Sequence, residues 1–400
     1  MNDANGFSDV DIRVENSVEP GRYPVAIDSS AGDASGTLIL NVADETLQQA
    51  LRAIENSQTN EGFFLKFGRR LFEALLPDQV AMMFRAALGH ARGAGNRLRV
   101  RLRLRPPELS ALPWEFLYDP QPDLFLAISS NVVLSRYVVD AASFAKPMTA
   151  RSVPPLRVLV AFSSPPDLPA LNLELERNLL TKATRRAVDE KRLELHFLDH
   201  TTNASLRSAL RDTKPHVFHF AGHGHFDGQR GYLLFEDEFG DATKISDRVL
   251  REFFEDAPEA KLAVLNACQG AAASAGDAFS GLAPNLVQRG LPAVVAMRYP
   301  VPDRAALIFA REFYEALTQP TPTAVDVAAA AGRRAIYQDL GPDGRSWGIP
   351  NVYLRAEDGN IFAPPAAEEE QESSGVTISN ISNSNINIGN LAGREDLTGF

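Results

Sequence analysis

From about position 154 the chain alternates short apolar runs with amphipathic stretches. The runs LRVLVAF (156–162), LELHFL (193–198), HVFHFA (216–221), KLAVLN (261–266) and PAVVAM (292–297) have the length and the β-branched and aromatic content of buried strands. Helical spacing fills the gaps: 173–188, a segment through Leu206 and Leu210, a shorter one through Val249 and Phe253, then 278–289, 302–318 and 322–338. A βαβα rhythm of this kind predicts an α/β fold, a mostly parallel sheet with helices on both faces. In such sheets functional residues gather beyond the carboxyl ends of the strands.

The first 150 residues read differently. Residues 1–35 look polar and turn-rich, with short β-like pieces such as 23–27. Residues 64–90 carry helical spacing through Phe67, Leu71, Phe72 and Leu75, then Val80, Phe84 and Leu88. RLRVRLRLR (97–105) alternates strictly and predicts a half-buried strand with Leu98, Val100, Leu102 and Leu104 inward. Its arginine row is expected to be a solvated outer face rather than a site for an anionic partner. The whole is an N-terminal α+β half over 1–150 and an α/β core over 151–362. An acidic linker (363–374, with EEEQE) and a flexible Ile/Asn-rich tail (375–400) follow.

Composition narrows the function. With 44% hydrophobic and 23% charged residues the 400-residue chain is that of a soluble globular protein. A net charge of −11 argues against nucleic acid or an anionic membrane as a partner. No apolar run reaches the roughly 20 residues a membrane span needs, and the acidic start is no secretory signal, so a cytoplasmic location is expected. No phosphate-cradling G-x-x-x-x-G-K-[ST] loop occurs, and no cofactor is expected.

The chemistry concentrates in two short motifs. Cys268, the chain's single cysteine, stands in Asn266-Ala267-Cys268-Gln269-Gly270 directly after the KLAVLN strand. Four of those five positions fit Q-A-C-[RQG]-G, a caspase pattern whose histidine lies about 50 residues upstream. His223, followed by Gly224, sits just past the HVFHFA strand, 45 residues before Cys268. A thiolate nucleophile needs an imidazole to take its proton and later protonate the leaving amine. The N–H groups of Gly224 and Cys268 are the candidate oxyanion donors, one such donor being worth on the order of 3 kcal/mol of barrier. A metal site is not expected, although His216, His219, His223 and His225 cluster in sequence, because zinc wants three or four ligands at recognisable spacing. His219, mid-strand, is expected to pack or hydrogen-bond in the core. Asp237, Asp277 and Asp303 fall in loops or near helix starts, and Asp303 reads as first-turn helix charge.

The sequence resembles a CHAT domain, a relative of caspases and separase. The likeness runs through LPWEFLYDP (112–120), HFAGHG (219–224), LAVLNACQG (262–270), GLAPNLVQRGLPAVVAMRYPVPDRAALIFAREFYEAL (281–317) and WGIPNVYL (347–354). It implies a caspase-like core over 151–362, the family's N-terminal half over 1–150, and a cysteine endopeptidase that cleaves a protein substrate through an acyl-enzyme on Cys268. A catalytically silent adaptor and, less favoured, a metal-dependent hydrolase are the alternatives. The family often has Ser where Asn266 stands and Trp where Arg298 stands. In related proteases the residue two before the cysteine lines the pocket for the substrate's P1 side chain. The uncharged Asn266 thus implies a neutral or small-polar P1, with Ser163, Ser164 and Arg298 as further substrate-binding candidates. GVTISNISNSNINIGN (375–390) resembles bacterial amyloid-signalling motifs, which implies a sensor protein with a matching segment as partner and a defence or cell-death role. A disordered low-complexity tail, or a strand added to a partner's sheet, would explain the same composition.

Overall fold

The computed structural model describes residues 6–60, 62–138, 155–267, 274–319 and 323–362. The acidic linker and the Ile/Asn-rich tail lie outside the described residues.

Three full strands open the chain, β1 (Phe7–Val14), β2 (Arg22–Ser29) and β3 (Gly32–Ile39), which corrects the turn-rich reading of residues 1–35. Strand β1 buries Val10, Ile12 and Val14 and places Asp9, Asp11 and Arg13 between them, so its period of two is masked by charge. Helices α1 (Glu45–Glu55), α2 (Phe63–Leu75) and α3 (Asp78–Gly93) follow. The long helical stretch divides before Pro77, which has no N–H to carry α2 onward. Strand β4 (Arg97–Leu104) then runs parallel to β1.

The arginine row of β4 is not a solvated face. Arg99 is 1% exposed, and its Nε donates to Asp326 at 2.8 Å. Arg101 pairs with Asp9 and Asp11, and Arg103 with Asp11. The parallel register explains this, since it sets Asp9, Asp11 and Arg13 of β1 opposite Arg99, Arg101 and Arg103. A short helix α4 (Pro107–Ser110), a two-stranded ladder of β5 (Tyr118–Asp119) and β6 (Leu124–Phe125), and strand β7 (Val132–Tyr137) complete this half.

The core begins with β8 (Leu156–Ser163), α5 (Leu173–Asp189), β9 (Leu193–Leu198) and α6 (Asn203–Thr213). Strand β10 (Val217–Gly222) leads into a small antiparallel sheet of β11 (Gly224–Phe226), β12 (Gly231–Glu236) and β13 (Ala242–Ser246), a hairpin excursion that the polar pattern of this stretch did not reveal. After α7 (Asp247–Glu255) come β14 (Leu262–Ala267), α8 (Ser274–Gln288), β15 (Ala293–Met297), α9 (Asp303–Leu317), α10 (Val325–Leu340) and β16 (Pro350–Leu354). The main sheet has 11 strands in the order β3-β2-β1-β4-β7-β16-β15-β14-β10-β8-β9. It is parallel except at β3–β2, β2–β1 and β16–β15.

Alternation along the strands sorts side chains to two layers. Val158, Val160, Val217 and Val264 pack with Leu180 of α5 and Phe309 and Phe313 of α9. Leu159, Phe218, Phe220 and Leu265 pack with Leu206 of α6, Leu250 of α7 and Leu282 of α8. Helices therefore cover both faces, as the sequence predicts. The LPWEFLYDP and WGIPNVYL segments meet: the Phe116 and Trp347 rings lie edge to face with centroids 4.8 Å apart. No helix among the described residues is long and apolar enough to cross a membrane.

Candidate active site

Strand β10 lies between β8 and β14, and one rung of this ladder joins Ser163, Gly222 and Ala267. His223 is the next residue after Gly222, and Cys268 the next after Ala267. Cys268 itself lies outside the described residues, as do Gln269 and Gly270. Parallel neighbours in a sheet stand about 4.8 Å apart. The ends of β10 and β14 therefore stand side by side, one residue before His223 in one case and before Cys268 in the other. Gly222 must be glycine here, because a Cβ would come within 2.6 Å of Phe220 Cζ and 2.8 Å of the Ser163 carbonyl oxygen.

His223 is 2% exposed, and its Nε2 donates to the Pro169 carbonyl at 2.9 Å. A carbonyl only accepts, so this bond keeps the proton on Nε2 and leaves the lone pair of the neutral ring on Nδ1. Burial lowers the His223 pKa below the usual imidazole value, while the Pro169 bond and the charge of Asp167 pull the other way. A neutral ring with one nitrogen anchored and one basic suits a general base.

Pro169 belongs to the 164–172 loop, which is braced from several sides. The Ser164 N–H donates to Glu236 Oε1 at 3.2 Å, and the Leu171 N–H donates to Ser164 Oγ at 3.1 Å. Asp167 Oδ1 accepts from the Ala242 N–H at 3.0 Å. Sequence reasoning missed Pro169, Asp167 and Glu236. The available signal was the turn-rich SSPPDLP (163–169) directly after a strand's carboxyl end.

The other candidates separate. Gly224 is buried beside His223 at the start of β11, opposite Leu233. Ser163 is fully buried on the Gly222 rung, and its hydroxyl has no partner among the described residues. Ser164 braces its own loop. Asn266 is 5% exposed, and its Nδ2 donates to Glu176 Oε1 at 2.6 Å, while its Oδ1 has no partner among the described residues. Glu176 lies in the first turn of α5, and burial pushes its carboxyl up to about 7; the Asn266 bond opposes this and the charge of Asp303 adds to it. Sequence reasoning missed Glu176 as well. Arg298 turns elsewhere, donating from Nη2 to the Ala111 carbonyl and from Nε to Tyr299 Oη at 3.1 Å.

His219 is a core residue, bonded through Nδ1 to Tyr314 Oη at 2.8 Å and pulled down to about 4 by burial. His216 Nδ1 accepts from the Arg157 N–H at 3.2 Å. Asp303 stands in the first turn of α9, and Asp237 caps the β12–β13 turn by accepting from the N–H groups of Phe239 and Asp241. Among the described residues no three His, Cys, Asp or Glu side chains converge as metal ligands would.

Helices on both faces of a mostly parallel sheet, with the strands that precede the two motifs ending on one rung, define the class as a layered α/β protein. The family model of the CHAT domain matches residues 65–371, and the chain belongs to that family. Among solved structures, it is similar to the separase–securin complex of Saccharomyces cerevisiae, with TM-score 0.47 and 11% identity over 87% of this chain and 30% of that one. The chain thus spans about a third of separase. It is also similar to the complex of Porphyromonas gingivalis RgpB pro- and mature domains, with TM-score 0.42 and 10% identity over 77% of this chain and 71% of that one. A secreted C11 cysteine protease from Bacteroides thetaiotaomicron, solved with an irreversible peptide inhibitor, gives TM-score 0.29 and 12% identity over 46% of this chain and 59% of that one. No curated protein sequence matches.

Proposed function

We propose that this protein is a cysteine endopeptidase acting on a protein substrate in the cytoplasm, with Cys268 as nucleophile and His223 as acid and base. The observation that carries the reading is the shared rung of Gly222 and Ala267, the residues that immediately precede His223 and Cys268. His223 Nδ1 takes the thiol proton, the thiolate attacks the peptide carbonyl, and the imidazolium returns the proton to the departing amine. The Pro169 carbonyl stabilises the imidazolium by holding its Nε2–H. The Gly224 and Cys268 N–H groups receive the oxyanion. Water then releases the acyl group with His223 as base. Purified protein should cleave a denatured protein substrate, and Cys268→Ala and His223→Ala should each abolish cleavage while keeping the fold. The double variant should be no worse than either, because the pair acts as a unit. Cleavage by Cys268→Ala above a buffer control refutes the assignment, and a folded wild-type chain inert on a proteome-wide peptide library supports the adaptor instead. Cleavage that a chelator stops and iodoacetamide spares supports a metal-dependent hydrolase.

The 375–390 segment completes the proposal as a recruitment element, templated by a sensor protein with a like segment and clustering the peptidase for defence or cell death. Its support is the run of Ile378, Ile381, Ile386 and Ile388 with interleaved Asn, free of charge and proline. The isolated 375–392 peptide should form fibrils with the roughly 4.7 Å cross-β reflection. Lysine at 386 and 388 should prevent this, and a monomeric peptide, together with unchanged cellular activation after deletion of 364–400, refutes it.

A further inference from the structure

Four buried polar side chains near the carboxyl end of β14 form a hydrogen-bonded chain with one gap in it. At one end Tyr314 Oη meets His219 Nδ1 at 2.8 Å, and at the other Asn266 Nδ2 donates to Glu176 Oε1 at 2.6 Å. All four residues are at least nine-tenths buried. Two atoms are left over, His219 Nε2 and Asn266 Oδ1, both buried and neither with a partner among the described residues. Leaving such atoms unbonded is costly, and ordered water is the usual remedy.

The register brings the two together. His219 pairs with Val264 and Ala221 with Asn266, so His219 and Asn266 are diagonal neighbours on one face of the sheet, two rungs apart. Strand spacing and a two-residue step set their backbones about 8 Å apart. Both side chains line one cavity of about 20 Å3, together with Glu176 and Tyr314. A single water needs about 10–15 Å3 on this measure and at least two polar partners. The cavity meets both conditions and is too small for a substrate side chain.

Donors and acceptors along the chain follow from burial. Burial raises the Tyr314 hydroxyl far above its ordinary value and pulls His219 down to about 4, so the phenol keeps its proton and the imidazole is neutral. His219 Nδ1 is the hydrogen-bond partner of Tyr314 Oη, so the hydroxyl donates and Nδ1 accepts. The ring's own proton is then on Nε2. A donor on His219 and an acceptor on Asn266 thus line the same cavity.

We propose that this cavity holds one ordered water, accepting from His219 Nε2–H and donating to Asn266 Oδ1, and that His219 is through it a positioning residue for the P1 pocket. The effect on substrate rests on the peptidase reading; the water, the tautomer and their hold on Glu176 do not. With Oδ1 tied to the water, the carboxamide keeps Nδ2 turned to Glu176. That bond favours the ionised carboxylate, against burial and the charge of Asp303. Tyr314 and His219, the other titratable groups at the cavity, are both neutral.

The full chain offers three tests that need no activity. A crystal structure should show one water about 3 Å from both His219 Nε2 and the Asn266 side chain; a dry cavity, or the two side chains bonded directly, overturns the proposal. Nitrogen NMR of histidine-labelled protein, assigned by the signal lost in His219→Gln, should find the proton on Nε2, and a proton on Nδ1 overturns it. Carbon NMR of the Glu176 carboxyl, assigned by its loss in Glu176→Gln, should give a midpoint of about 7. In His219→Leu, which has no donor, that midpoint should rise by about 0.5–1 pH unit. His219→Gln puts an amide N–H where Nε2–H stood and should restore the wild-type midpoint. An unmoved midpoint in His219→Leu, or an equal rise in His219→Gln, overturns the proposal. Should His219→Leu not fold, the water and the tautomer decide. With active enzyme, the preference for Lys over Gln at P1 should follow the Glu176 midpoint upward in His219→Leu; a preference that stays put while the midpoint rises removes His219 from the P1 pocket. A chain inert on every peptide refutes the peptidase reading and the P1 role with it, and the water is then judged on the first three tests.

Discussion

At the scale of single residues, the anchored tautomer of His223 makes a claim that needs no substrate. The chain holds one cysteine, so alkylation by iodoacetamide reports on Cys268 alone. A thiol served by a nearby imidazole ionises below the ordinary value of about 8.5. The pH midpoint of the alkylation rate should therefore lie below that value in the wild type and move up to it in His223→Ala; equal midpoints would break the dyad. Glu176 supports a second expectation. Its carboxyl, held up to about 7, is largely neutral below pH 7 and charged above it. On the peptidase reading, with Asn266 lining the P1 pocket, the enzyme should favour neutral P1 residues in mild acid and gain activity toward Lys or Arg as pH rises through 7. In Glu176→Gln the ratio of kcat/KM for Lys over Gln at P1 should be flat across that range, and a wild-type ratio that is already flat removes Glu176 from specificity. The proposed pair, Cys268 and His223, stands out in sequence because its chemistry admits few substitutes. Pro169 contributes a backbone carbonyl, which any residue has, and Glu176 meets Asn266 across 90 positions of chain, so neither leaves a local pattern.

Among elements, the site depends on three strands kept in register. Gly222 lets β10 lie close to the Ser163 carbonyl with the Phe220 ring folded over the same position, and any side chain there must push one of them aside. Gly222→Ala should cost about 1–3 kcal/mol in chemical denaturation. It should lower kcat more than the stability loss explains, because His223 follows immediately; full activity in a folded Gly222→Ala would show that the rung does not place the histidine. Five strands of the core, β8, β9, β10, β14 and β15, were readable within about a residue, since burial on both faces leaves continuous apolar runs. β1 was not, because its outward positions carry Asp9, Asp11 and Arg13, and such a run looks like a loop until its partner is known. The same pairing explains the arginine row of β4. A row of charge reads as surface in isolation and is interior once a second charged row and a helix cover it.

Across the whole molecule, the halves are tied by charge as well as by the sheet. Arg99 of β4 and Asp326 of α10 meet at 2.8 Å, both almost completely buried. Removing one partner strands the other, so Asp326→Ala should lose about 3–5 kcal/mol. Arg99→Leu with Asp326→Leu should lose less than either alone, since two apolar groups leave no charge behind. A double variant worse than the sum of the singles would show that the pair serves packing and not charge balance.

The position of β16 has a consequence for how the molecule is made. In the sheet it stands between β7 and β15, yet it is among the last described residues to be synthesised. Until residue 350 leaves the ribosome, β3-β2-β1-β4-β7 and β15-β14-β10-β8-β9 are two separate sheets with no shared rung. Each ends in a raw, apolar edge of the kind that pairs with the wrong neighbour. A chain stopped at residue 345 should accordingly bind chaperones and be cut by protease between the halves, whereas one released after residue 362 should resist. Protection arriving before β16 would mean the halves dock without it. Synthesis thus delivers the closing piece after every other strand of the sheet, and a nascent chain holds β10 and β14 well before it can join them to the strands that include Arg99.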